Sequence, residues 1–335
     1  MSDLDEFIAA LPKVELHLHL VGSASPATVL ELAARHPGHR LPRSEAGLRD
    51  FYEFRDFLHF AQVYDAVNDV VRDPADVAAL VTGAARDLAG QNVRYAELTV
   101  TPYSHVRRGM PMTAVTEALD LAAAQARDEH GVQIAYIFDI AGELGGEAAR
   151  ATLDHALTHP PQALVGFGLA GIEDDRAKHR DAFRVAFTAA TAAGLHSAPH
   201  AGETTGAEHI WEALDGLHAE RIGHGIGCLA DPRLVDRLRE EAIPLEVCPT
   251  SNVRTRQVAD LAAHPFPRLL AEGLQVTVNS DDPPMFGTTL TGEYQAVAHT
   301  FGLDHAAVTA LAATAIDAAF LPEPAKQALR AELPA

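Results

Sequence analysis

The chain has 335 residues, 47% hydrophobic and 21% charged, with a formal net charge of −20. That composition excludes a disordered chain, and the charge argues against a nucleic-acid backbone or an anionic membrane surface as partner. With only Cys228 and Cys248 there is no disulfide framework, and with no apolar leader or membrane-length apolar run the expected compartment is the cytoplasm.

Residues 5–13 read as a short helix with a turn at Pro12. Residues 14–20, Val-Glu-Leu-His-Leu-His-Leu, read as a β-strand. Side chains alternate along a strand, so His17 and His19 share one face, about 6–7 Å apart at Cα, and can converge on one metal ion. Ser25 then caps a helix that starts at Pro26 and runs to about Arg35. Residues 44–92 read as a helical insertion. Phe51, Phe54, Phe57, Leu58, Ala61 and Tyr64 recur in it at three- and four-residue spacing. Most of these belong to ordinary packing, but an insertion after a barrel strand lies at the catalytic face and can form a lid.

Strand-like runs follow at 94–101, 133–141, 164–170, 195–200, 221–224, 244–248 and 275–279, separated by helical runs. With the first strand this makes eight alternations, the pattern of an α/β chain folded as a (β/α)8 TIM barrel. Residues 290–333 read as helices covering one end. No repeat, linker or shift in composition divides the chain, so one domain over 1–335 is expected.

Chemistry-bearing residues gather at the strand ends. His200 ends the fifth strand and can join His17 and His19 on a metal, with Glu203 just beyond it as a proton donor. His224 lies between two glycines after the sixth strand. Asp281 and Asp282 end the eighth, where two carboxylates repel each other unless a positive charge sits nearby. Three histidines and a carboxylate suit one Zn²⁺, with an open position for a water whose pKa the ion lowers to about 7. A lone His-x-His, histidine or Asp-Asp pair is common in ordinary structure. Their joint placement at strand ends is not.

The blocks His17-Leu18-His19, His200-Ala201-Gly202-Glu203, Arg221-Ile222-Gly223-His224-Gly225 and Asn279-Ser280-Asp281-Asp282-Pro283 resemble, in the same order, the adenosine deaminase family of the amidohydrolase superfamily. Phe57-Leu58 and Gly168-Leu169-Ala170-Gly171 extend the likeness. The resemblance implies a cytoplasmic, zinc-dependent hydrolase that deaminates a purine nucleoside. Zn²⁺ would be held by His17, His19, His200 and Asp281. Glu203 would protonate purine N1, and His224 would orient or deprotonate the attacking water. Asp282 would hydrogen-bond N7, and Gly171 would meet N3 through its backbone. His19 and Val21 would adjoin the substrate. No lysine lies near residues 164–171, so the two-metal carbamylated-lysine site of other amidohydrolases is not expected. Neither cysteine supplies the Pro-Cys-x-x-Cys pair of a cytidine-deaminase site.

Two positions depart from the family pattern. Val21 stands where the family places an acid that contacts the ribose, and Gly168 replaces an acidic residue. Residues 17–26 and 283–288 are most similar to the bacterial aminodeoxyfutalosine deaminases. That implies deamination of 6-amino-6-deoxyfutalosine, an adenine nucleoside with a carboxyphenyl ketone at its 5′ end, to futalosine and ammonia in menaquinone biosynthesis. Adenosine is the second candidate substrate and free adenine the third. Val21 and Phe51, Phe54 or Phe57 would meet the aryl group, and Arg55, Arg107 or Arg108 its carboxylate. A metal esterase or lactonase on the same barrel would have no ring nitrogen for Glu203 to protonate. A non-catalytic binding protein would not keep every chemical position.

Overall fold

The structure is a computed structural model that describes residues 2–334. β1 (Lys13–His19), β2 (Val93–Val100), β3 (Gln133–Ala141) and β4 (Leu164–Ala170) pair in parallel, in that order. β5 is split into His196–Ser197, which pairs with β4, and His200–Ala201, which pairs with β6 (Ile222–His224). β7 (Leu245–Val247) and β8 (Val276–Val278) complete the series. The expected continuous strand over 195–200 is therefore corrected to two pieces. Pro199 lies in the gap and has no N–H to give to a ladder.

The ring closes where β8 meets β1. The Asp281 N–H donates to the His17 carbonyl at 2.9 Å, and the His19 N–H donates to the Asp281 carbonyl at 3.1 Å. Eight strand positions thus form the TIM barrel that the alternation predicts, and β1, β5, β6 and β8 deliver their terminal side chains to one mouth. The insertion between β1 and β2 is helical, with helices Pro26–Arg35, Glu45–Phe51, Phe57–Asn68 and Pro74–Ala89. Each begins at a side-chain cap: Ser25, Ser44, Asp56 and Asp73 accept from backbone N–H groups of the first turn.

Beneath the site the barrel holds a buried cation. Arg221 is 1% exposed, and its Nε and Nη2 donate to Glu246 Oε1 and Glu97 Oε2, each at 2.5 Å. Its Nη1 donates to the Ala318 carbonyl at 2.8 Å, and its guanidinium lies 3.7 Å from the centre of the Phe320 ring. A buried guanidinium is tolerable only when its charge and its donors are matched in this way. The helix His305–Ala318 is thereby tied into the barrel interior. No described helix is long and apolar enough to cross a membrane.

Candidate active site

The mouth gathers His17, His19, His200, His224, Glu203, Asp281 and Asp282, all at most 9% exposed. His19 Nε2 stands 3.1 Å from His200 Nε2 and 3.3 Å from Asp281 Oδ1, and His17 Nε2 stands 3.6 Å from that same oxygen. His224 Nε2 lies 3.7 Å from Glu203 Oε2 and 3.8 Å from Asp281 Oδ2. His224 and Asp281 hold φ of 59° and 63°, a left-handed backbone that is uncommon for non-glycine residues.

Burial decides most of the charges. It lowers His19 to about 4 and His224 to about 3, and takes His200 well below its ordinary value, so these rings are neutral at pH 7. Burial also pushes His17 down, but its hydrogen bond to Glu246 and the charge of Asp281 leave it raised. Burial pushes Asp281 up, and His17, His224 and His19 pull it below the usual carboxylate range. Glu203 and Asp282 are raised well above that range by burial and by Asp281. The site thus combines one carboxyl pulled toward its ionised form with two pushed toward their protonated form.

A divalent cation fits these residues. His17 Nδ1 is engaged by Glu246, while its Nε2 is buried without a hydrogen-bond partner. The nitrogens of His17, His19 and His200 lie within 4.8 Å of one another, next to the ionised Asp281. Three imidazoles facing one carboxylate are an N3O donor set for a borderline metal. Cys248 is close by, but burial and then Asp281 push its thiol far up, and it donates to the Glu246 carbonyl.

A cavity of about 420 Å³ opens onto this cluster. Gly171 lines one wall with φ of +86°, and a Cβ there would sit 2.0 Å from Glu143 Oε2. Gly22 lies against Asp282, where a Cβ would sit 1.5 Å from Oδ1, a buried oxygen with no partner. Glu173 accepts from the N–H groups of Glu203, Thr204 and Thr205 at 3.4, 3.1 and 2.9 Å and so anchors the loop that carries Glu203. Phe57, Leu58, Phe60 and Tyr64 form an apolar wall from the insertion.

The structure brings together His17, His19, His200, Glu203, His224, Asp281 and Asp282, with Gly171 on the same cavity. Val21 is not with them. It is 4% exposed and packs in the core, because the chain leaves β1 at His19 and turns at Leu20–Val21. The apolar face expected of Val21 comes instead from the insertion. Of the three phenylalanines expected there, Phe57 lines the cavity, while Phe54 packs against Phe60 and Phe286. Arg108 is engaged by Asp65 and Asp69 at 2.6 and 2.8 Å. Arg107 lines the cavity and has no ion pair among the described residues. Sequence reasoning missed Asp139 and Glu143, which also line it. Asp139 lies near the C-terminal end of β3, accepts from Thr101 Oγ1 at 2.6 Å and is raised to about 6 by burial. Its strand-end position was the available signal.

A sequence model of the adenosine deaminase family matches residues 12–335. The chain is 49% identical over 333 residues to the aminodeoxyfutalosine deaminase of Streptomyces coelicolor, covering 99% of this chain and 86% of that one. Its fold superposes on the crystal structure of adenine deaminase from Arthrobacter aurescens with a TM-score of 0.91 at 34% identity, covering 96% of this chain and 98% of that one. A Burkholderia ambifaria amidohydrolase crystallised with bound Zn gives a TM-score of 0.89 at 28% identity, covering 99% and 92%.

Proposed function

The chain belongs to the adenosine deaminase family of metal-dependent hydrolytic deaminases, and from that premise we propose that it converts 6-amino-6-deoxyfutalosine to futalosine and ammonia. The observation that carries this reading is the mixed lining of the cavity, which presents Glu203, Asp281 and Asp282, the apolar Phe57, Leu58 and Phe60, and the cationic Arg107. An adenine, an aryl group and a carboxylate each find a complementary group in that lining. The identity to the Streptomyces coelicolor enzyme supports the same choice.

We assign His17, His19, His200 and Asp281 to one Zn²⁺ per chain, within a single barrel domain over residues 1–335. When bound, such an ion supplies Lewis acidity that makes water nucleophilic at neutral pH. Glu203, which burial keeps protonated, donates to N1 as attack at C6 moves electron density onto that nitrogen. Asp282 is protonated too, and its unpartnered Oδ1 side meets N7. The Gly171 backbone meets N3, and the absence of a Cβ there keeps Glu143 in place. His224 and Asp281 flank the attacking water.

The test is a comparison of kcat/KM for 6-amino-6-deoxyfutalosine, adenosine and adenine on one zinc-loaded preparation, read as loss of aminopurine absorbance. The 5′-aryl nucleoside is expected to lead by tenfold or more. If adenosine or adenine leads by that factor, the substrate assignment is wrong.

A further inference from the structure

The hydrogen bonds behind His224 fix which of its nitrogens carries the proton. The chain of contacts starts at a backbone amide, which can only donate. The Phe266 N–H donates to His264 Nδ1 at 3.0 Å, so that nitrogen is bare. His264 is 3% exposed, and burial lowers it to about 4, so the ring is neutral and its one proton sits on Nε2. That N–H lies 3.1 Å from Asn252 Oδ1, which accepts it. The carboxamide orientation is thereby set, and Asn252 Nδ2 donates to His224 Nδ1 at 3.3 Å. His224 Nδ1 is occupied as an acceptor, and the ring proton is left on Nε2, the nitrogen facing Asp281 and Glu203.

We propose that Asn252 and His264 are positioning residues that lock His224 as its Nε2–H tautomer, so that His224 orients the attacking water as a hydrogen-bond donor and does not abstract its proton. This rests on the reading above that sets His224 beside that water. A ring nitrogen that already bears hydrogen has no lone pair to offer. Asn252 is fully buried in the helix Pro249–Arg254, which follows β7, and His264 precedes the helix Phe266–Ala271. Neither residue lines the cavity.

The tautomer is read directly by ¹⁵N NMR of the zinc-loaded, histidine-labelled protein, without substrate. His224 and His264 are assigned by loss of their signals in His224→Ala and His264→Gln. Both rings are expected to show a protonated Nε2 and a bare Nδ1. Asn252→Asp places an acceptor where the amide donor was, and is expected to move the His224 proton to Nδ1. In steady-state kinetics it should lower kcat by about 10²-fold or more, with KM changed by less than about threefold. His264→Gln keeps a donor for Asn252 Oδ1 and should retain the His224 tautomer, whereas His264→Leu should lose it at comparable thermal stability. A protonated Nδ1 on His224 in the wild type, or an unchanged tautomer in Asn252→Asp, overturns the proposal. Because the NMR reading needs no turnover, failure of the substrate assignment leaves it decidable.

Discussion

Glu246 joins the buried Arg221 to the candidate metal site: its Oε1 accepts from Arg221 Nε at 2.5 Å, and its Oε2 stands 2.7 Å from His17 Nδ1. The contact places hydrogen on Nδ1 and leaves Nε2 free to ligate, which is how an outer carboxylate orients and strengthens a histidine ligand. Glu246→Gln should therefore weaken zinc binding by about 10–100-fold in a chelator competition. Elemental analysis of the wild type should find one zinc per chain. Two metals per chain would end the single-ion assignment.

Glu203 lies 3.7 Å from His224 Nε2 and outside the four assigned ligands. Glu203→Gln should keep the zinc content of the wild type and lose roughly 10²–10⁴-fold in kcat. Near-normal turnover would remove Glu203 from the proton path.

Gly22 supports Asp282 by absence. The Cβ of Gly22→Ala would overlap the Asp282 carboxylate, so that side chain must move. A displaced purine contact should cost about tenfold or more in kcat/KM, with zinc content unchanged. Loss of zinc in this variant would mean that the damage spreads to the ligands.

Arg107 should read the charge at the far end of the substrate. Arg107→Gln is expected to lower the ratio of kcat/KM for 6-amino-6-deoxyfutalosine over its methyl ester by about tenfold, since one charge-assisted contact is lost at a partly solvated site. Adenosine 5′-monophosphate serves as the control anion. Should it outrun the aryl carboxylate, the anion recognised is a phosphate.

Glu293 gives a pH dependence of stability. It is buried, accepts from the Thr250 N–H and the Thr288 hydroxyl at 3.1 and 2.6 Å, and is raised from 4.5 to about 7, chiefly by burial. Its folded pKa exceeds its unfolded value, so the folded chain holds the extra proton between those values. The stability it contributes is full below about 4.5 and is lost as pH rises to about 7. The difference between wild type and Glu293→Gln in urea unfolding should change across that window by at most about 3 kcal/mol. A difference that stays flat from pH 4 to 8 would show that Glu293 does not titrate there.

The barrel was legible because its signals are local. Strand and helix periods alternate along the chain, and His17 and His19 lie on one strand face by simple alternation. The strand-end positions of His200, His224 and Asp281 follow from the same pattern. Val21 was set beside the substrate by the family resemblance alone, as the position where relatives carry an acid that contacts the ribose. The strand stops at His19, and the turn rotates Val21 into the core. Asp139 was passed over because its one signal, a carboxylate near the end of an apolar strand, is too common to stand out alone. The partners of Arg221 are invisible in sequence for another reason: Glu97 lies 124 residues from it, and only barrel closure brings them together.

That closure also sets when the site can exist. The Leu16 N–H donates to Asn279 Oδ1 across 263 residues, and Asp281 is held between the backbones of His17 and His19. During synthesis the first two proposed ligand residues leave the ribosome long before the last. A nascent chain stalled short of Asp281 carries histidines but no finished binding site. On the proposed ligand set, metal capture would be a late event that reports a closed ring, and half-made barrels would offer the cell's metal pools little to hold.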